Sequence, residues 1–161
     1  MTTGSIAGIL SSPGSSAYSM SKHAMEAFTD SLAREMEPAG VQVSVIEPGS
    51  YKSRIRRTTV ARIASNIEAA GGEITDDMAA RMKAAAEREV TLKEPDEVSA
   101  ATLHALFSAT PHRRYMVVPN EEEADLTIRK AIEELVQLNA WGPYSYSRDD
   151  LVKMLDEALG Q

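Results

Sequence analysis

Tyr18 and Lys22 stand four residues apart, and Ser5 precedes Tyr18 by thirteen. Residues four apart on a helix share a face, with Cβ atoms about 5–6 Å apart. An ammonium beside a phenol favours the phenolate, and a phenol biased in that way can take or give a proton near neutral pH. A serine hydroxyl on the preceding loop could hold a substrate oxygen in place for the transfer. Taken alone, the Tyr18–Lys22 pair also reads as an exposed surface pair. Ser11, Ser12 and Ser15 read as loop and cap residues.

The remaining side chains offer little competing chemistry. Cysteine is absent, which removes disulfides, thiolate nucleophiles and Cys-ligated metals. Neither His104, on a helix, nor His112, in a loop far along the sequence, supplies a recognisable base for a serine nucleophile. His23 follows Lys22 directly and turns off its face. With no H-E-x-x-H, no metal site is expected. Trp141 reads as a packing anchor for the C-terminal segment.

The elements that must position these residues follow from periodicity. Residues 1–15 are small and polar with Gly and Pro, and read as loop. Ala17, Met20, Ala24, Phe28 and Leu32 form an apolar stripe that predicts a helix over 16–37, with Ser15 or Ser16 as its cap and Pro38 and Gly40 at its end. VQVSVIEPG at 41–49 predicts a β-strand stopped by Pro48 and Gly49. Helices are predicted over 54–70 and 75–90, the second capped by Thr75, with Met78, Met82, Ala85 and Ala86 as core or as a substrate lid. A helix over 93–107 carries Pro95 near its first turn. YMVVP at 115–119 is a second strand, and Asn120 caps a helix running to Leu138. Ser147 and Asp150 resemble a capping box ahead of a last helix at 148–159. Two strands among six or seven helices point to an α/β layer whose strand edges need partners.

Composition limits the rest. The 161 residues, 43% hydrophobic and 25% charged, suit one soluble globular domain. The formal charge of −7 argues against nucleic acid as a main partner. The one basic cluster, KSRIRR at 52–57, reads as a solvated helix start. No apolar run approaches the roughly 20 residues of a membrane span. A cytoplasmic protein is the expectation.

The segment TGSIAGILSSPGSSAYSMSKHAMEAFTDSLAREM, followed by GVQVSVIEPGSYKS, closely resembles the short-chain dehydrogenase/reductase family. Its wording most resembles the retinol and hydroxysteroid dehydrogenase-like classical branch. The resemblance implies that Tyr18 is the acid/base and that Lys22 holds the nicotinamide ribose and tunes the tyrosine. It implies that Ser5 orients the substrate oxygen. The loop of Pro48, Gly49, Tyr51 and Ser53 would run past the nicotinamide, with Ser53 where the family usually has Thr. Together with Tyr18 and Lys22, these are the expected cofactor contacts.

The resemblance implies a partial doubly wound Rossmann-like fold, helix-rich and lacking the N-terminal strands. Residues 1–119 would be the C-terminal half of the oxidoreductase domain, with 54–94 covering the substrate and 120–161 a helical extension. The family's pyrophosphate-binding G-x-x-x-G-x-G turn does not occur in the sequence. NAD or NADP belongs to the complete fold, and this chain alone is expected to bind it weakly or not at all. The expected substrate is a small alcohol or carbonyl compound, and the expected association is with itself or with a complementing N-terminal half. Two other readings stay open: a non-catalytic interaction module derived from the same fold, and a sugar-nucleotide epimerase or dehydratase fragment, which shares the Tyr/Lys pair.

Overall fold

The computed structural model describes residues 1–160 apart from the side chain of Arg56, so the KSRIRR cluster is described only around that residue. Three short parallel strands form the sheet: β1 Thr2–Thr3, β2 Val45–Pro48 and β3 Arg114–Val117, in the order β1-β2-β3. Two residues are too few for periodicity to mark, and β1 is a strand only because Thr2 pairs with Val45 and Thr3 with Ile46. The strand expected over 41–49 is shorter. The Val41 amide bonds back to the Met36 carbonyl at 3.2 Å, so the first of these residues finish the turn after the helix.

Among the described residues, the order is completed by two short 3-10 turns, Ile6–Gly8 and Glu37–Ala39, and six α-helices: α1 Ser16–Met36, α2 Ile55–Ala69, α3 Asp76–Thr91, α4 Asp96–Phe107, α5 Glu121–Asn139 and α6 Arg148–Leu159. Their starts follow the expected chemistry. The Thr75 hydroxyl accepts from the Met78 amide, Asn120 accepts from the Glu123 amide, and Ser147 and Asp150 form a reciprocal capping box. Ser15 occupies the cap position of α1, but its hydroxyl donates to the Ser12 carbonyl at 2.8 Å and makes no cap bond.

The orientation of α1 differs from the periodic reading. Its buried face is Ser19, Thr29 and Ala33, with half-buried Lys22 and Glu26 between them, at spacings of three and four. The apolar stripe points away from the sheet, Met20 being 72% and Phe28 51% exposed. The cause is pairing across elements. The Thr29 hydroxyl lies 2.8 Å from that of Thr2 on β1, and Glu26 sits against a charged residue of β3. A hydroxyl bonded as Thr29 is, and a carboxylate within ion-pair reach of an arginine, can occupy the inner face of a helix.

The strand register sorts the sheet's two faces. Val45 pairs with Arg114 and Glu47 with Met116, and side chains two apart share a face. Helix α1 packs against the Val45, Glu47 and Arg114 side, through the contacts of Glu26 and Asp30 with Arg114. Helix α4 packs against β2 and β3, and its His104 meets Tyr115, on the opposite side from Arg114. The buried apolar residues among those described are Ala33, Val43, Val45, Ile46 and Tyr51. Wide apolar faces of α4, α5 and α6 stay exposed.

Candidate active site

Parallel strands place their carboxyl ends together, and that edge is where open α/β sheets bind ligands. The turn after β1 begins at Ser5, whose backbone is extended. Its hydroxyl accepts from the Ala7 amide at 3.1 Å and donates to the Pro48 carbonyl at 3.3 Å. That second bond ties the turn after β1 to the end of β2. On the first turns of α1, the Lys22 ammonium donates to the Thr3 carbonyl at 3.1 Å and lies 5.7 Å from the centre of the Tyr18 ring, within cation–π range. Tyr18 is 42% exposed, so its ring is open to a ligand. The structure thus brings Lys22 beside Tyr18, and Ser5 beside Pro48, at the same end of the sheet.

The loop of Pro48 to Ser53 is held from two sides by residues that sequence reasoning did not single out. The Ser50 amide donates to Glu123 Oε2 at 2.8 Å. A Cβ on Gly49 would fall on that same oxygen, and would lie 3.0 Å from Val118 Cγ1 and 3.1 Å from Pro119 Cδ. Glycine is therefore required there by close approach. Tyr51 is buried, and its hydroxyl donates to Glu97 of α4. Burial, then that hydrogen bond, pushes the Tyr51 phenol above its ordinary range. Its hydroxyl therefore faces Glu97, where the sequence reading expected a cofactor contact. Ser53 is exposed, and its Oγ accepts from the Ile55 amide at 3.4 Å.

The same contacts close the base of the segment 54–94. The Lys52 amide donates to the Lys93 carbonyl at 2.9 Å, the Lys52 ammonium pairs with Glu94, and Glu97 takes both Lys93 and Tyr51. The chain leaves and returns at one point. Helices α2 and α3 pack on each other around an apolar groove of about 210 Å³ lined by Arg57, Val60, Ala61, Met82, Ala85 and Ala86.

Beneath the Ser5 turn lies a cluster that the sequence reading also missed. Glu47 is 2% exposed. Arg114 Nε stands 3.5 Å from Glu47 Oε1 and 3.4 Å from Glu26 Oε2, while its Nη2 donates to Asp30 Oδ2 at 2.8 Å. Glu26 fills space left by two glycines: a Cβ on Gly4 would lie 2.8 Å from Glu26 Oε1, and one on Gly8 would lie 2.9 Å from it. The hydrogen bond from Arg114 holds the Asp30 carboxyl below its usual range. Burial, then the neighbouring Glu26, pushes the Glu47 carboxyl well above it.

His104 and His112 stack with ring centres 5.6 Å apart and gather at Tyr115, whose hydroxyl lies 2.7 Å from His104 Nδ1. Among the described residues no group of three His, Cys, Asp or Glu side chains is arranged to hold a metal ion, and no helix is long and apolar enough to cross a membrane.

Comparison with known proteins bears on the family and the fold. A family model described as short chain dehydrogenase matches residues 1–64. Mouse retinol dehydrogenase 5 is 34% identical over 107 residues, covering 61% of this chain and 34% of that protein. Rat mitochondrial D-beta-hydroxybutyrate dehydrogenase is 32% identical over 123 residues, covering 69% and 35%. YbbO, an uncharacterized oxidoreductase of Escherichia coli K12, is 46% identical over 52 residues, covering 32% and 19%. A solved short-chain dehydrogenase from Streptomyces avermitilis superposes with a TM-score of 0.57 at 23% identity, over 86% of this chain and 47% of that one. Its likeness extends the Rossmann-like fold to most of the chain. The matches span about a third or less of the length of these curated relatives. The chain is a member of the short-chain dehydrogenase/reductase family.

Proposed function

We propose that this chain carries the acid/base half of the active site of an NAD(P)-dependent oxidoreductase that interconverts an alcohol and a ketone or aldehyde. The observation that supports it most is Lys22, which bonds the Thr3 carbonyl at the end of β1 while lying over the Tyr18 ring. In the reduction direction the Tyr18 hydroxyl gives its proton to the carbonyl oxygen of the substrate. In oxidation the phenolate takes that proton back. The Lys22 ammonium stabilises the phenolate by charge. The Ser5 hydroxyl, now on the Pro48 carbonyl at 3.3 Å, is free to turn toward a substrate oxygen and orient it. The relatives that match as dehydrogenases support alcohol oxidation over sugar-nucleotide epimerisation.

The donor set fits the nicotinamide–ribose end of a dinucleotide: one ammonium, two hydroxyls and a loop, gathered at the carboxyl ends of β1 and β2. Lys22 and Tyr18 would hold the ribose, and Pro48, Gly49 and Ser53 would line the ring, with Tyr51 anchoring that loop through Glu97. When bound, the cofactor supplies or receives the hydride. The pyrophosphate needs a Gly-rich turn that the sequence does not contain, so the reading assigns that part to a second segment and expects the 161 residues alone to be inactive. Segment 54–94, closed at its base, acts as the substrate cover, and residues 120–161 as a helical extension.

The test is reconstitution. Supplying the dinucleotide-binding half of a related dehydrogenase in trans should yield NAD(P)H-dependent reduction of a carbonyl panel. Tight association without turnover would favour the non-catalytic interaction module, for which the exposed apolar faces of α4 and α5 speak. No association at all would count against both.

A further inference from the structure

Three carboxylates share the neighbourhood of one guanidinium under the Ser5 turn. Asp30 takes the close contact to Arg114, at 2.8 Å. Glu26 and Glu47 are left with Arg114 Nε at 3.4 and 3.5 Å, within ion-pair reach but beyond an ordinary hydrogen bond. Glu26 Oε1 and Oε2 and Glu47 Oε1 are buried and accept no hydrogen bond. Buried acceptors left in that state are costly. With every group ionised, the cluster would hold three negative charges against one positive. A single proton on either glutamate eases both problems, because it removes one negative charge and lets a protonated carboxyl donate to its carboxylate neighbour.

We propose that Glu26 and Glu47 share one proton and, seated against Arg114, form a positioning pair that fixes the Ser5 turn and the Lys22 helix to β2. The pair touches all three segments of the candidate site. Glu26 lies one helical turn after Lys22 and fills the space beside Gly4 and Gly8, on either side of the Ser5 turn. Glu47 immediately precedes Pro48, which accepts the Ser5 hydroxyl. Loss of the proton sets two buried carboxylates against each other and loosens the seat of the turn.

The charged groups around the pair are few. Helix α1 contributes Asp30, which is also drawn toward Arg113 and Arg34, and β3 contributes Arg114. The Lys22 ammonium is engaged by the Thr3 carbonyl. β1 and the Ser5 turn bring no charged side chain. On α4, Glu97 is taken up by Tyr51 and Lys93, and His104 lies at Tyr115.

The shared proton stands apart from the catalytic reading; its consequence for turnover rests on that reading. The direct test is carboxyl carbon-13 NMR of the whole chain labelled at glutamate. The expected result is a glutamate that titrates well above the others, and amides of Ala7 and Gly8 whose exchange quickens as that titration proceeds. In Glu47→Gln the amide replaces the protonated carboxyl, so the high titration and the step in exchange should both vanish. Every glutamate titrating in the ordinary range would overturn the proposal, as would a high titration that leaves Ala7 and Gly8 exchange unchanged. If Glu47→Gln fails to fold, the wild-type titration and exchange decide alone. No turnover is needed, so failure of the shared proton and failure of the acid/base assignment to Tyr18 are separable.

Discussion

Removal of the Glu123 carboxylate probes how the loop after β2 is held. Glu123→Ala takes away the acceptor of the Ser50 amide, a bond of 2.8 Å. Hydrogen bonds to a charged group contribute about 1.5–3 kcal/mol, and the partial exposure of Glu123 puts the expected loss near the lower end, about 1–2 kcal/mol. Gly49→Ala attacks the same place from the other side, because its Cβ would displace the same oxygen. It should cost that bond in addition to an overpacking penalty of about 1–3 kcal/mol. In the Glu123→Ala background only Val118 and Pro119 crowd the new Cβ, at 3.0 and 3.1 Å. The second substitution should therefore cost less than in the wild type, with a coupling of about 1 kcal/mol or more. Urea unfolding of the four variants measures it, at unchanged m-value. Amide exchange at Ser50 should rise in both single variants. Additive costs, or a Ser50 amide as protected in Glu123→Ala as in the wild type, would refute the idea that this carboxylate holds the loop.

Three further outcomes follow from other contacts. Tyr51→Phe removes the bond to Glu97 and should lower stability by about 1 kcal/mol in thermal melts, with faster exchange at the Lys52 amide, which bonds Lys93. Glu47→Gln should flatten the pH dependence of the melting temperature. The buried Glu47 carboxyl is raised to about 8, so its stabilisation is complete below the unfolded value near 4.5 and is lost as pH rises through the folded one. Asp30 works in the opposite sense, its contribution being lost as pH falls. Ile132 and Leu135, 54% and 48% exposed on one face of α5, should drive self-association. The double change to Glu should raise the monomer fraction in sedimentation while leaving the helical signal unchanged.

The sequence made the chemistry more legible than the packing. The roles given to Ser5, Tyr18 and Lys22 came from the family resemblance, while that Tyr18 and Lys22 stand side by side was readable from spacing, because a helix fixes where residues four apart point. Caps at Thr75, Asn120 and Ser147 were readable for the same reason, since each depends on neighbours within three residues. The inner face of α1 was not. Periodicity marked the stripe from Ala17 to Leu32, whereas the sheet takes Ser19, Glu26, Thr29 and Ala33, of which Thr29 meets Thr2 on β1 and Glu26 meets Arg114 on β3. Arg114 and Asp30 are separated by 84 residues, Glu123 and Ser50 by 73. Such pairs exist only once the strands align. β1 was too short for periodicity to mark, and the His104–His112 stack depends on the strand that carries Tyr115 between α4 and α5.

The central claim is that Tyr18 moves the proton. Its most direct measurement is turnover by the reconstituted enzyme bearing Tyr18→Phe, which keeps the ring over Lys22 and removes only the hydroxyl. The account predicts a fall in kcat of about 10²-fold or more, the usual contribution of a positioned acid/base, with KM little changed. Equal turnover by the Phe variant would contradict it.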